Sequence, residues 1–184
     1  TAKILYKMFE EIRAQNGTET LRGMNLMAST ETLSKSARPY HTILLCKNKT
    51  GLINLYKLIS FAHIQFFHNR PRIPKSYINQ YREGLIVGSA CEQGEVYKAV
   101  LDGLNDDKLA RVMDFYDYLE IQPHGNNEFM IREGTVADRE ELNRINRRIY
   151  DMGKKLGKMT VATTDCHFLD PQDAQFRAII MDSL

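Results

Sequence analysis

Short apolar runs alternate with longer helical patterns along most of this chain, and that alternation restricts its fold more than any other feature. Residues 41–46 (HTILLC), 85–89 (LIVGS), 118–122 (YLEIQ) and 160–163 (TVAT) are short, apolar or β-branched, and closed by polar residues. That is the pattern of strands, and the first of them reads as a buried one. Between them lie helical segments. Residues 50–66 are apolar on more than one face through Leu52, Leu55, Tyr56, Leu58 and Ile59. Pro74 can open a short helix that ends before Gly84, and residues 94–104 and 106–116 read as two more. Over residues 137–156, Leu142, Ile145, Ile149, Met152 and Leu156 step by three and four, the most regular amphipathic pattern present. Pro171 opens a last helix with Ala174, Ala178 and Met181 on one side. Alternating strands and helices predict an α/β fold with a mostly parallel sheet, open or closed into a barrel. In such folds ligands gather at the C-terminal ends of the strands.

The first part of the chain has a different character. Ala2, Leu5, Phe9 and Ile12 fall at helical spacing, and Asn16-Gly17 ends that helix. Residues 18–38 are polar and read as a short helix plus linker, with a boundary expected near residue 34. The 184 residues suffice for one ordinary domain with a sizeable core, and 43% hydrophobic against 26% charged is a globular balance. A net charge of +2 does not by itself call for nucleic acid. The basic cluster of Arg70, Arg72, Lys75 and Arg82 reads as a solvated loop face or a phosphate contact. No apolar run reaches the roughly 18–20 residues of a membrane span, and no signal peptide opens the chain, so no membrane partner is expected. Three cysteines, Cys46, Cys91 and Cys166, make no disulfide framework and fit a reducing cytoplasm. Thr1 in place of Met fits a processed, trimmed or excised segment.

Three of the strands run into residues that can hold metals. The second leads to Cys91-Glu92, the third carries Glu120 and leads to His124, and the fourth leads to Asp165-Cys166-His167. Carboxylate, imidazole and thiolate at neighbouring strand ends are the donors of a metal site. Asp165-x-His167 is the sharpest pair, since both side chains can grip an ion from one turn. Each residue also has a plainer reading. Asp165 can cap a turn, Cys91 can be a small buried hydrophobe, and His41, which opens a strand, can simply pack. Other chemistries lack their motifs: there is no GxGxxG, no GxxxxGK[ST] and no GxSxG.

Four blocks together carry a family resemblance. PYHTILLCKNKTGLINLYKLISFAHIQFFHNRPRIP (39–74), REGLIVGSACEQGEVYKAV (82–100), YLEIQPHGN (118–126) and VATTDCHFLDPQDAQFRAIIM (161–181) resemble, in order and separation, the PHP domain of bacterial DNA polymerase III alpha subunits. HIQFFHNRPRIP is more similar to the PolC branch of Gram-positive bacteria, in which a 3′–5′ exonuclease is inserted within the PHP domain. TAKILYKMFEEIRAQN (1–16) looks like the last helix of such an exonuclease. The resemblance therefore implies residues 1–34 as an exonuclease-like tail plus linker. Residues 35–184 are then the C-terminal part of the PHP domain, the later part of a distorted (β/α) barrel.

The same resemblance implies four metal ligands, His41, Cys91, Asp165 and His167, for zinc or manganese, with magnesium as a further option. PHP sites are trinuclear with nine ligands, and the remaining ones match no segment of this chain. Glu120 and His124 match the family block without being counted as ligands. Cys166 stands where valine is usual and is expected to point away and pack. The implied partners are the rest of a polymerase chain, DNA through the parent enzyme, and replisome proteins. The implied activity belongs to a parent DNA-directed DNA polymerase, with this segment inactive alone. The alternatives are a non-catalytic structural or docking module and, less well matched, a free-standing PHP phosphatase.

Overall fold

The structure is a computed structural model that describes residues 38–182, together with Tyr6, Lys7, Phe9, Glu10 and Arg13. The helix expected over residues 2–13 lies mostly outside the described residues, and the linker and boundary near residue 34 lie outside them too. The chain divides into two compact units, one of residues 1–39 and 44–85, the other of residues 40–43 and 86–184.

In the first unit, most of strand β1 (Ile43–Cys46) leads into helix α1 (Lys49–Ile64). The Asn48 side chain accepts a hydrogen bond from Gly51 N at 2.9 Å and so caps the helix start. Although α1 is apolar nearly all round, it buries a single stripe, Gly51, Asn54, Leu58 and Ala62, and leaves Ile53 and Tyr56 exposed. Asn54 Nδ2 donates to Glu83 O at 2.9 Å, and Lys47 N donates to Gly84 O at 2.8 Å. Helix α2 (Lys75–Gln80) starts directly after Pro74, as the sequence predicts. Its Tyr77 meets Phe61 and Phe66 edge-on, at centroid distances of 5.3 and 4.8 Å. The expectation of a buried first strand fails. Ile43 and Leu45 are 38% and 48% exposed, because β1 is an edge strand and not a central one.

The second unit holds the remainder of the sheet. Strand β2 (Leu85–Gly88) precedes helices α3 (Glu95–Leu101) and α4 (Asp106–Asp114). Strand β3 (Tyr118–Ile121) precedes two single-turn helices, α5 (His124–Asn127) and α6 (Phe129–Arg132). Helix α7 (Arg139–Lys155), strand β4 (Met159–Ala162), a 3-10 turn (Pro171–Asp173) and helix α8 (Ala174–Asp182) follow. β3 lies parallel to β2 and to β4, with Tyr118 opposite Met159 and Ile121 opposite Ala162. With β1 this gives a four-stranded sheet in chain order, mostly parallel, in an α/β fold of the barrel-building kind. Parallel strands need crossovers, and the helices between them supply those.

Helix α7 covers β3 and β4 and packs on α3 and α4. Its buried stripe, Leu142, Ile145, Ile149 and Met152, is the one the period of three and four predicts. Asp138 caps it by accepting from Glu141 N at 2.8 Å, and acids in its first turn and lysines in its last suit the helix dipole. Gly153 lets the helix approach the sheet: a Cβ there would lie 2.5 Å from Thr160 Oγ1 and 3.0 Å from Leu119 Cδ1. The single-turn helices α5 and α6 have no counterpart in the periodicity, which needs several turns to register. α8 leaves Ala174, Ala178 and Met181 exposed, together with Phe176 and Ile179.

Candidate metal centre

All four residues implied as ligands lie in the second unit and line one cavity of about 610 Å³ at the C-terminal ends of the strands. His41 is tied in by a backbone bridge: it pairs with Gly94, and its N–H donates to Gln93 O at 3.1 Å. That pairing sets His41 Nδ1 3.4 Å from Cys91 Sγ, across 50 residues of chain. Cys91 sits in the turn after β2. Ser89 before it accepts from Glu120 N at 2.9 Å, and Gly94 after it donates to Cys91 O at 2.8 Å. Ala90 adopts φ of 60° and Asp165 φ of 47°. Positive φ is uncommon for side chains other than glycine, and the two flank or form the site.

Asp165 follows β4. Its carboxylate, that of Glu92 and the Cys91 thiol place one donor atom each within 4.8 Å of one another. His167 Nδ1 donates to Asp165 O at 2.6 Å, which leaves Nε2 as the lone-pair nitrogen. Fixing one ring nitrogen on a carbonyl is how ligating histidines are commonly oriented. Asn126, from α5, donates through Nδ2 to Thr164 O and so joins the β3 and β4 loops. Arg177 of α8 brings a cation to the cavity wall.

Two residues behave differently from expectation, and a third was overlooked. Cys166 does not pack away: it is exposed, lines the same cavity, and lies 3.0 Å from Thr164 Oγ1. The turn forced by positive φ at Asp165 breaks the strand alternation that would have pointed it elsewhere. His124 starts α5 and donates to Asn143 Oδ1, away from the cavity. Glu92 was visible in sequence only as the neighbour of Cys91, yet it belongs to the tight donor group.

The donor set fits a divalent cation. Burial, partly offset by a backbone hydrogen bond at Gln93 and reinforced by the Glu92 and Asp165 charges, pushes the Cys91 thiol up to about 11. A cation among these groups relieves the repulsion of two carboxylates and a thiolate, and metal binding displaces the thiol proton. Thiol, imidazole and carboxylate together suit zinc and also admit manganese. A smaller cavity of about 350 Å³ adjoins the same groups, lined by His41, Cys91 and Asp165 together with Glu120, Gln122 and Thr163.

With this geometry in view, comparison with known proteins places the chain. The PHP domain family matches residues 4–124. The chain belongs to the PHP domain family. It is also 52% identical over 181 residues to the PolC-type DNA polymerase III of Clostridium perfringens, which covers 98% of this chain and 12% of that protein. The corresponding polymerase of Caldanaerobacter subterraneus is 50% identical over 164 residues, 89% of this chain and 12% of the relative. That of Bacillus subtilis is 38% identical over 183 residues, 100% of this chain and 13% of the relative. The chain thus spans about an eighth of the length of these relatives, and the similarity runs through Asp165 and His167 beyond the PHP match. Among the described residues no helix is long and apolar enough to cross a membrane.

Proposed function

We propose that this chain contributes a section of the PHP metal centre to a PolC-type replicative DNA polymerase. On this reading His41, Cys91, Asp165 and His167 hold divalent cations at the strand ends. The carrying observation is that these four residues, distant in sequence, line one cavity with Glu92 beside them. Bound cations would supply a water of lowered pKa and a clamp on phosphate oxygens, the chemistry of phosphoester hydrolysis. Arg177 on the cavity wall offers such a phosphate a planar cation. His167 is held by Asp165 O in the tautomer that presents Nε2, and His41 is held against Cys91 by the Gly94 bridge. Residues 1–34 are, in this proposal, the end of an inserted exonuclease and its return linker, and residues 35–184 the later PHP section. A cytoplasmic location, contact with the remaining polymerase chain, and DNA as the parent enzyme's substrate belong to the same proposal.

Metal content of the full-length protein, measured by mass spectrometry, tests the site. Substituting His41→Ala, Cys91→Ser, Asp165→Asn and His167→Ala together should remove at least one zinc or manganese equivalent with the fold intact. Unchanged metal content in a folded variant would sink the metal reading. A structural or docking role is favoured separately by the exposed apolar face of α8, where Phe176, Ile179 and Met181 are 56%, 68% and 52% exposed. If the metal-free variant keeps full polymerase activity and thermal stability, that role is the better description.

A further inference from the structure

Glu120 and Gln122 are the most deeply buried polar side chains at the strand ends, with only 8% and 6% of their surfaces exposed. They stand two residues apart on extended chain, so both point to one side, and both line the smaller cavity with His41, Cys91 and Asp165. One carboxylate oxygen of Glu120, Oε2, accepts from Thr163 Oγ1 at 3.0 Å. The other, Oε1, makes no hydrogen bond, and neither does Gln122 Oε1. Tyr118 lies beside the carboxylate on the same face but outside hydrogen-bonding geometry, and no Lys, Arg or His pairs with Glu120 among the described residues.

Two buried acceptors without donors, one of them on a carboxylate without a counter-ion, face one cavity. An isolated buried charge is expensive, and an orphaned buried acceptor adds a desolvation cost. Both costs vanish if a cation sits between the two oxygens. Glu120 is absent from the tight group of Cys91, Glu92 and Asp165, so it does not complete that group around the same ion. The two oxygen donors are also harder than the thiol and imidazole set.

We infer that Glu120 Oε1 and Gln122 Oε1 form a separate hard-cation subsite, suited to manganese or magnesium, next to the softer site at Cys91. The inference rests on the cavity being a cation-binding site, and two spectroscopically distinct probes keep the two ideas apart. Cadmium bound through Cys91 gives an ultraviolet thiolate charge-transfer band, and manganese equivalents are counted by electron paramagnetic resonance, both on the full-length protein. Glu120→Gln should lower the manganese count by one equivalent while the cadmium band and its affinity stay unchanged. Gln122→Leu leaves the Thr163–Glu120 bond in place and should weaken the same equivalent by about tenfold, in the range for lost supporting donors. Circular dichroism confirms that each variant is folded, and Gln122→Leu carries the test if Glu120→Gln does not fold.

An unchanged manganese count and affinity in the folded variants would overturn the subsite. Joint loss of the manganese equivalent and the cadmium band would overturn it too, since a single shared site would then be present. If Cys91→Ser leaves the cadmium band intact, the soft site is wrong, and the manganese result for Glu120 still decides the subsite by itself.

Discussion

At the residue scale, side chains of the same type take roles that their immediate neighbours decide. Asp138 and Asp165 illustrate this. Asp138 accepts from Glu141 N at 2.8 Å and fixes the start of α7, with Glu141 reaching back to Ala137 N at 2.6 Å. Replacing it by alanine should destabilise the protein by about 1 kcal/mol, measured by urea unfolding, and an unchanged midpoint would show that the cap adds nothing. Asp165 instead has its backbone turned to φ of 47°, which brings Cys166 and His167 to one cavity. The sequence located Asp165 and His167 as a pair, because a DxH beyond a strand is a local pattern. It misplaced Cys166, because strand alternation was carried one residue too far. Glu92 and Glu120 carry no local pattern, and their place at the site emerges from three strand ends meeting.

At the scale of elements, close approach matters more than propensity. In the first unit, α1 passes so near the turn before β2 that a Cβ on Gly51 would lie 1.9 Å from Gly84 O. The obstacle is backbone, so it cannot rotate away as a side chain would. Gly51→Ala should therefore destabilise the fold, despite alanine's better helix propensity, by about 1–3 kcal/mol or more. A thermal melt showing equal or higher stability would contradict that contact. The long helix α7 was readable from its period because one face is buried and the other charged. Helix α1 was readable as a helix but not in its orientation. An all-round apolar surface does not say which stripe is covered, and only Gly51, Asn54, Leu58 and Ala62 proved to be.

Across the whole molecule, buried tyrosines tie stability to pH. Tyr97 is pushed up to about 12, first by burial and then by the Glu92 charge, against an ordinary value of 10.0. Tyr118 is likewise pushed up to about 12 by burial and by Glu120, and burial together with Glu95 raises Tyr116 further. A group whose folded pKa is raised contributes stability that is complete below its unfolded value and lost as pH rises toward the folded one. Stability should thus hold to about pH 10 and fall between about pH 10 and pH 12. Tyr97→Phe should make that decline shallower, followed by far-ultraviolet circular dichroism along an alkaline titration. An identical alkaline limb would remove Tyr97 as a contributor.

The amino-acid sequence by itself determined the α/β class, the order of strands and long helices, and the pairing of Asp165 with His167. Those depend on local periodicity and on residues adjacent in the chain. It could not decide which strand lies at the sheet edge, and so β1 is exposed where burial was expected. Nor could it decide that Glu92, Glu120, Gln122 and Cys166 gather at the cavities around His41, Cys91 and Asp165. Those facts follow from parallel strands placing their C-terminal ends side by side. That arrangement brings residues from distant stretches of chain within a few ångströms, and no local sequence pattern records it.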